Sequence, residues 1–160
     1  MDYPITPAIR VLRERKIEFT PHIYQYVEKS GTRHSAEVLK VDEHSVIKTL
    51  IFETNEKKPL IILMHGDLQV SAKNLARILN VKTVAPANSE KANKLTGYLV
   101  GGTSPFGTKT KMPIYAEKTI FDLEKIYING GKRGFLIAIE PQVLRGVLEI
   151  EAVEVRQNVD

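Results

Sequence analysis

The residues Ser45-Val46-Ile47-Lys48-Thr49-Leu50-Ile51-Phe52, followed after Asn55-Glu56-Lys57-Lys58 by Leu60-Ile61-Ile62-Leu63-Met64, decide how this chain folds. β-Branched and apolar side chains dominate the first run, which suits a pleated, half-buried surface. The polar residues between the runs read as a hairpin connection. The second run has no polar position, and a strand of that kind expects burial on both faces. Lys48 is the exception. Alternation sets Val46, Lys48, Leu50 and Phe52 on one face and Ile47, Thr49 and Ile51 on the other. A cation on an otherwise apolar face is costly unless it meets a cleft or a counter-ion. The alternative is an edge lysine whose stem snorkels to solvent. The pattern leaves both open.

Working outward, Thr6-Pro7 opens a helix with a hydroxyl at the N-cap and proline at the first helical position, and Ala8, Ile9 and Leu12 form its inner stripe. Glu18 to Tyr26 reads as a strand, Ser35 to Lys40 as a short helix, and Asp42 to His44 as a helical turn. Asp67 and Ser71 are candidate caps for a helix over Ala72 to Leu79 with Leu75, Ile78 and Leu79 inward, and Asn80 is its stop. Lys82 to Ala85 is a short strand and Ser89 to Leu95 a small helix ended by Thr96-Gly97. Met112 to Tyr115 and Lys125 to Asn129 are strands. Gly130-Gly131 is a turn, and Phe135 to Ile139 its hairpin partner. Pro141 opens a last helix to Leu148, and Glu151 to Arg156 alternates as an edge strand. Irregular mixing of strands and short helices gives an α+β fold: a single compact domain over residues 1–160 with a mixed, largely antiparallel central sheet.

Composition narrows the class. The chain has 160 residues, 42% apolar and 26% charged, enough to bury one core. Its apolar runs fall short of the roughly 20 residues that cross a bilayer, and Arg10, Arg13, Glu14 and Arg15 interrupt any signal-peptide core. No cysteine is present, which excludes disulfides, thiolate metal sites and a cysteine nucleophile and is compatible with the cytoplasm. His22, His34, His44 and His65 lie 12, 10 and 21 residues apart, without metal-binding spacing, so no metal or other cofactor is expected. The net charge is +4. Lysines flank both glycine-rich stretches, which fits either a solvated face or a basic surface for a polyanion.

Those stretches are the remaining signal. Gly97-Tyr98-Leu99-Val100-Gly101-Gly102-Thr103-Ser104-Pro105-Phe106-Gly107 holds four of the ten glycines. It reads as a short buried strand, Tyr98 to Val100, opening into a loop that turns tightly or lets something approach its backbone. Ser104 lies outside any GxSxG elbow, and Pro105 after it lacks the N–H of an oxyanion donor, so Ser104 shapes the loop. Neither a dinucleotide fingerprint nor a Walker loop occurs. Gly130-Gly131-Lys132-Arg133-Gly134 is either an anion-binding nest strengthened by two cations or a hairpin turn with exposed basic residues.

Val46-Ile47-Lys48-Thr49-Leu50, the Gly97–Gly107 stretch and Asn129-Gly130-Gly131-Lys132-Arg133-Gly134, in that order and preceded by Thr6-Pro7-Ala8, resemble the YbaK/EbsC family. These are aminoacyl-tRNA editing domains related to the insertion domain of bacterial prolyl-tRNA synthetase, and the resemblance spans essentially the whole chain. It is closest to the YbaK branch, free-standing deacylases that clear cysteine mischarged onto tRNA(Pro). Lys48 matches the family's essential lysine, and Gly101, also implied as catalytic, the glycine loop lining the aminoacyl pocket. Tyr24, Thr49, Gly102, Thr103 and Asn129 are implied as substrate-binding, with Lys132 and Arg133 as contacts to tRNA. Asn129 stands where the branch commonly has serine, and Ile47 where tyrosine is frequent.

The resemblance implies an enzyme that needs no side-chain nucleophile: the substrate's own cysteine thiol attacks the ester carbonyl, releasing tRNA and a cyclised product. Such an enzyme orients the ester and stabilises developing charge, with backbone N–H groups around Gly101-Gly102 as donors and Lys48 as the fixed cation. The alternatives are a deacylase for another small amino acid, such as alanine on tRNA(Pro), and a non-catalytic tRNA-binding module. The implied partners are the aminoacylated acceptor end of tRNA and prolyl-tRNA synthetase, in the cytoplasm, with no membrane.

Overall fold

A computed structural model describes residues 2–157. Helix α1 (Pro7–Glu14) starts where Thr6 Oγ1 accepts the Ile9 N–H, and Ala8, Ile9 and Leu12 are fully buried. Strand β1 (Thr20–Ile23) is shorter than the sequence suggests, and helix α2 (Gly31–Leu39) begins earlier. A 3₁₀ turn (Glu43–Ser45) leads into the central hairpin of β2 (Val46–Thr54) and β3 (Pro59–His65). Helix α3 (Ala72–Leu79) is capped by Ser71 and ended by Asn80 in the left-handed conformation, but Ile78 is 42% exposed rather than inward. Then follow β4 (Val84–Pro86), α4 (Ser89–Thr96), β5 (Ile114–Glu117), β6 (Ile126–Lys132), β7 (Phe135–Ile139), α5 (Gln142–Val147) and β8 (Ile150–Val153).

All eight strands form one mixed sheet in the order β1-β7-β6-β2-β3-β5-β8, with β4 also paired to β2. The fold is α+β as expected, and β3 is buried along nearly its whole length. The main core lies on the face of Ile47, Ile51, Ile61 and Leu63, and the core of Phe52, Leu60, Ile62 and Met64 under α3 lies on the other.

One irregularity shapes the rest. The edge of β2 is shared by two strands: Val46 and Ile47 pair in parallel with Tyr127 and Ile128 of β6, whereas Phe52 to Thr54 pair with β4. The sheet forks between them, at Lys48 to Ile51.

Two further expectations fail. Tyr98 to Val100 is not a strand. The Tyr98 N–H donates to Thr96 Oγ1 and the Val100 N–H to Asn93 Oδ1, so side chains from α4 occupy the groups a ladder would use. Leu99 and Val100 are consequently exposed. Gly130-Gly131 is not the hairpin turn but lies inside β6, which carries a register shift between Asn129 and Lys132; the turn falls at Arg133-Gly134, with Gly134 at φ +77°. Glycine is needed at 130 because a Cβ there would lie 2.5 Å from the Phe135 ring.

Candidate functional site

The fork brings the first candidates together. One step past Ile47 and Ile128, the last matched pair on that edge, stand Lys48 and Asn129. Side-chain alternation places both on the face of Val46 and Tyr127. Asn129 pairs across the next ladder with Leu136, and Leu136 with His22 of β1. Tyr24, two residues on, joins the cluster of Val46, Leu136, Ala36 and Tyr127 under α2. Thr49 goes the other way. Alternation turns it through the sheet, and its hydroxyl is buried without a hydrogen-bond partner among the described residues.

Lys48 is half-buried, and neither sequence reading describes it fully. Its Nζ donates to the Leu68 carbonyl at 2.6 Å. Burial lowers its pKa, and the Glu43 and Asp67 carboxylates act in the opposite direction. The acceptor belongs to a turn gripped from both sides. The Gly66 N–H donates to the Val46 carbonyl, Thr32 Oγ1 donates to Glu43 at 2.7 Å and Gly66 O at 3.2 Å, and Asp67 meets His44 Nδ1 at 2.9 Å. A Cβ on Gly66 would lie within 2.9 Å of Thr32 and the Glu43 carbonyl.

The glycine loop closes the other side. Asn129 Nδ2 donates to the Gly101 carbonyl at 3.2 Å, while Asn129 Oδ1 accepts the N–H groups of Gly131 and Lys132 at 2.6 and 3.0 Å. The N–H groups of Gly131 and Lys132, which an anion-binding nest would offer, are therefore already held by the asparagine's own oxygen. Arg133 Nε donates to the Val100 carbonyl at 2.9 Å, and its guanidinium lies over the Tyr26 ring at 5.2 Å. Lys132 is exposed. Gly101 has φ +93°, and a Cβ there would lie 2.5 Å from Tyr26 Oη; at Gly102 it would lie 2.6 Å from the backbone nitrogen of Arg133. Both glycines are thus sites of close approach. The expected pair of backbone donors is reduced to one, because the Gly102 N–H donates to the Leu99 carbonyl at 2.8 Å. The Gly101 N–H has no acceptor among the described residues. Thr103 Oγ1 points back to Leu99 O at 3.4 Å. Ser104 is fully buried and accepts the Phe106 N–H, which is the loop-shaping role read for it. Burial pushes the Tyr98 hydroxyl up to about 12, and it donates to Phe106 O at 2.6 Å.

Sequence reading missed Tyr26 and the His65–Leu68 turn. The signal for the turn was His-Gly-Asp directly after an apolar strand. His44 and His65, 21 residues apart, stack at 3.7 Å, and their ring nitrogens with an Asp67 oxygen lie within 4.8 Å of one another. That trio could reach one metal ion only by giving up bonds already made. His65 Nδ1 meets the His44 carbonyl and Nε2 the Thr119 hydroxyl, both at 2.7 Å, and His44 Nδ1 meets Asp67.

A family model described as the aminoacyl-tRNA editing domain matches residues 28–147. The chain belongs to that family. Family membership makes the chain an aminoacyl-tRNA deacylase, with tRNA as its substrate class. It is 26% identical over 94% of its length to EbsC of Enterococcus faecalis, a protein named as a Cys-tRNA(Pro)/Cys-tRNA(Cys) deacylase, and the match covers 92% of EbsC. It is 30% identical to the proline–tRNA ligase of Brachyspira hyodysenteriae over 54% of this chain and 15% of that ligase. Among solved structures, a protein described as a trans-editing enzyme for prolyl tRNA synthetase superposes with TM-score 0.79 at 18% identity, covering 97% of this chain and all of the other. The hypothetical protein APE2540 superposes at 0.86 and 20% identity, covering 94% of this chain and 99% of the other. These two likenesses carry the fold. No helix among the described residues is long and apolar enough to cross a membrane.

Proposed function

We propose that this editing domain, taken as residues 1–160, clears cysteine from tRNA(Pro) by substrate-thiol attack, with Lys48 and Gly101 as its catalytic groups. One observation carries the reading: Lys48 and Asn129 follow the last pair of β2 and β6, Asn129 holds the Gly101 carbonyl, and the Gly101 N–H has no acceptor among the described residues. In this reading the groups at the fork orient and stabilise rather than attack. In such a site the thiol sulfur forms the new bond to the ester carbonyl carbon. The bond from that carbon to the terminal ribose oxygen breaks, and the thiol proton passes to the leaving oxygen. The Gly101 N–H faces the developing oxyanion, where a preorganised donor lowers the barrier. The Lys48 ammonium, fixed by Leu68, holds the ester or the terminal phosphate. Tyr24, Gly102, Thr103 and Asn129 form the wall around the amino acid, Thr49 closes the sheet behind it, and Lys132 and Arg133 meet the RNA.

Similarity over nearly the full length to a protein named as a Cys-tRNA deacylase supports the choice of cysteine. Likeness to a segment of proline–tRNA ligases supports tRNA(Pro) and a transient association with that synthetase, in the cytoplasm. The test is a deacylation panel of Cys-tRNA(Pro), Ala-tRNA(Pro) and Ser-tRNA(Pro). Loss of the cysteinyl ester alone supports the reading. Turnover of the alanyl ester at the same rate replaces the thiol with water as the nucleophile, and tRNA binding without turnover of any ester leaves a binding module.

A further inference from the structure

A second concavity lies away from the fork, between the end of α1, the far half of the glycine loop and α5. It has a volume of about 840 Å³ and is lined by Pro105, Thr108, Lys111 and Met112 on the loop side, with Arg15 and Arg145 from the two helices. We propose that this groove seats the phosphate backbone of the substrate RNA on the helical side of the aminoacyl end. The inference rests on the reading of the chain as a tRNA deacylase.

Charge selects the occupant. Arg15, Lys111 and Arg145 are exposed, and none forms an ion pair among the described residues; Glu149 is the single carboxylate on the lining. Elsewhere several cations are already matched: Lys57 and Lys91 to Glu53, Lys118 to Glu154, and Arg156 to Glu117 and Glu154. Arg145 lies 4.0 Å over the Phe121 ring, which fixes its guanidinium at the rim. Three unmatched cations around an open groove suit a polyanion with regularly spaced charges, whose binding releases counter-ions.

Chain connectivity ties the groove to the fork. Lys111 lies nine residues after Gly102. At 3.3–3.6 Å per residue the two are at most about 30 Å apart, within the reach of one short stretch of RNA. The loop is anchored at both ends. Gly102 packs on the backbone of Lys132 and Arg133, and a Cβ on Gly107 would lie 2.8 Å from the Pro7 carbonyl of α1. One rigid loop therefore borders the aminoacyl site at its start and the groove at its far half.

The experiment uses the full chain with the double charge reversal R15E/K111E, neither residue belonging to the fork. Binding of deacylated tRNA(Pro) is measured over a salt series, and turnover is measured on cysteinyl-adenosine, which lacks a helix. Folding is checked by thermal melting. The expected result is a loss of tRNA affinity of at least about tenfold at low salt and a salt slope shallower by about two, near 0.9 per lost phosphate contact. Turnover of cysteinyl-adenosine stays at the wild-type value. Wild-type affinity and slope in a folded R15E/K111E overturn the groove while leaving the deacylase reading intact. Weakened tRNA binding in a series where the wild type cleaves neither substrate upholds the groove and removes the deacylase reading. If R15E/K111E does not fold, R15Q/K111Q takes its place, with a slope change of the same sign.

Discussion

Ile47 of β2 stands opposite Ile128 of β6, and beyond that pair the two strands part. Lys48 and Asn129 are the next residues on each, so the candidate site begins where a ladder ends. An ammonium at that point reaches the turn after β3 and bonds the Leu68 carbonyl.

Lys48→Ala removes the cation and leaves Leu68 O without its donor. Deacylation of Cys-tRNA(Pro) falls by about 10²–10³, the size of losing one preorganised electrostatic group, while the thermal melt stays cooperative. Wild-type turnover in the folded variant would remove Lys48 from the mechanism.

Gly101→Ala meets two obstacles, a left-handed φ of +93° and Tyr26 Oη at 2.5 Å from the new Cβ. The first costs about 1 kcal/mol wherever the side chain goes, whereas the second is eased when the hydroxyl goes, leaving ring carbons at 3.1 Å. Kinetic comparison of G101A with G101A/Y26F therefore shows partial recovery in the double variant. Gly102→Ala has no such rescue, because its Cβ meets backbone. Equal activity of the two Gly101 variants would show that Tyr26 does not constrain the loop.

Asn129→Asp keeps an oxygen for the Gly131 and Lys132 N–H groups but removes the donor to Gly101 O. A carboxylate then faces a carbonyl at the glycine loop. The expected stability loss is about 1–3 kcal/mol by urea unfolding, the cost of an unmade buried bond, and kcat falls as the loop is released. Asn129→Ala loses all three bonds and is destabilised further. A D variant as stable and active as the wild type would show that the Gly101 bond holds nothing.

Acid destabilises the fold through His65. Burial lowers its pKa below the ordinary 6.5, so the native state binds fewer protons than the unfolded chain in mild acid. Its contribution is complete above about pH 6.5 and is lost as pH falls from there toward the folded value. His22, lowered first by burial and then by Lys125, adds a slope of the same sign. Urea midpoints between neutral pH and about pH 5 should decline less steeply in His65→Asn than in the wild type. Identical slopes would assign the pH dependence elsewhere.

The hairpin of β2 and β3 was legible because its pattern is local: alternation in one strand and continuous apolarity in the next. Helix α3 was legible for the same reason, with Ser71 and Asn80 marking its ends. Tyr98 to Val100 misled because their apolar content says strand while Thr96 and Asn93 already hold the backbone N–H groups of Tyr98 and Val100. The second glycine pair misled because Gly130 and Gly131 serve close approach by Phe135 and Tyr98, not a reversal of the chain. Lys48 and Gly101 stood out by residue type. Tyr26 and Asp67 did not, since each matters through a neighbour distant in sequence.

The division of one β2 edge between β6 and β4 has an evolutionary reading. Where two strands part, the gap takes its width from the splay of the backbone and its character from the residues at the parting, here Lys48 and Asn129. Exchange at position 129 also exchanges three hydrogen bonds, one of them to the glycine loop, so variation there is expected to travel with variation in the loop.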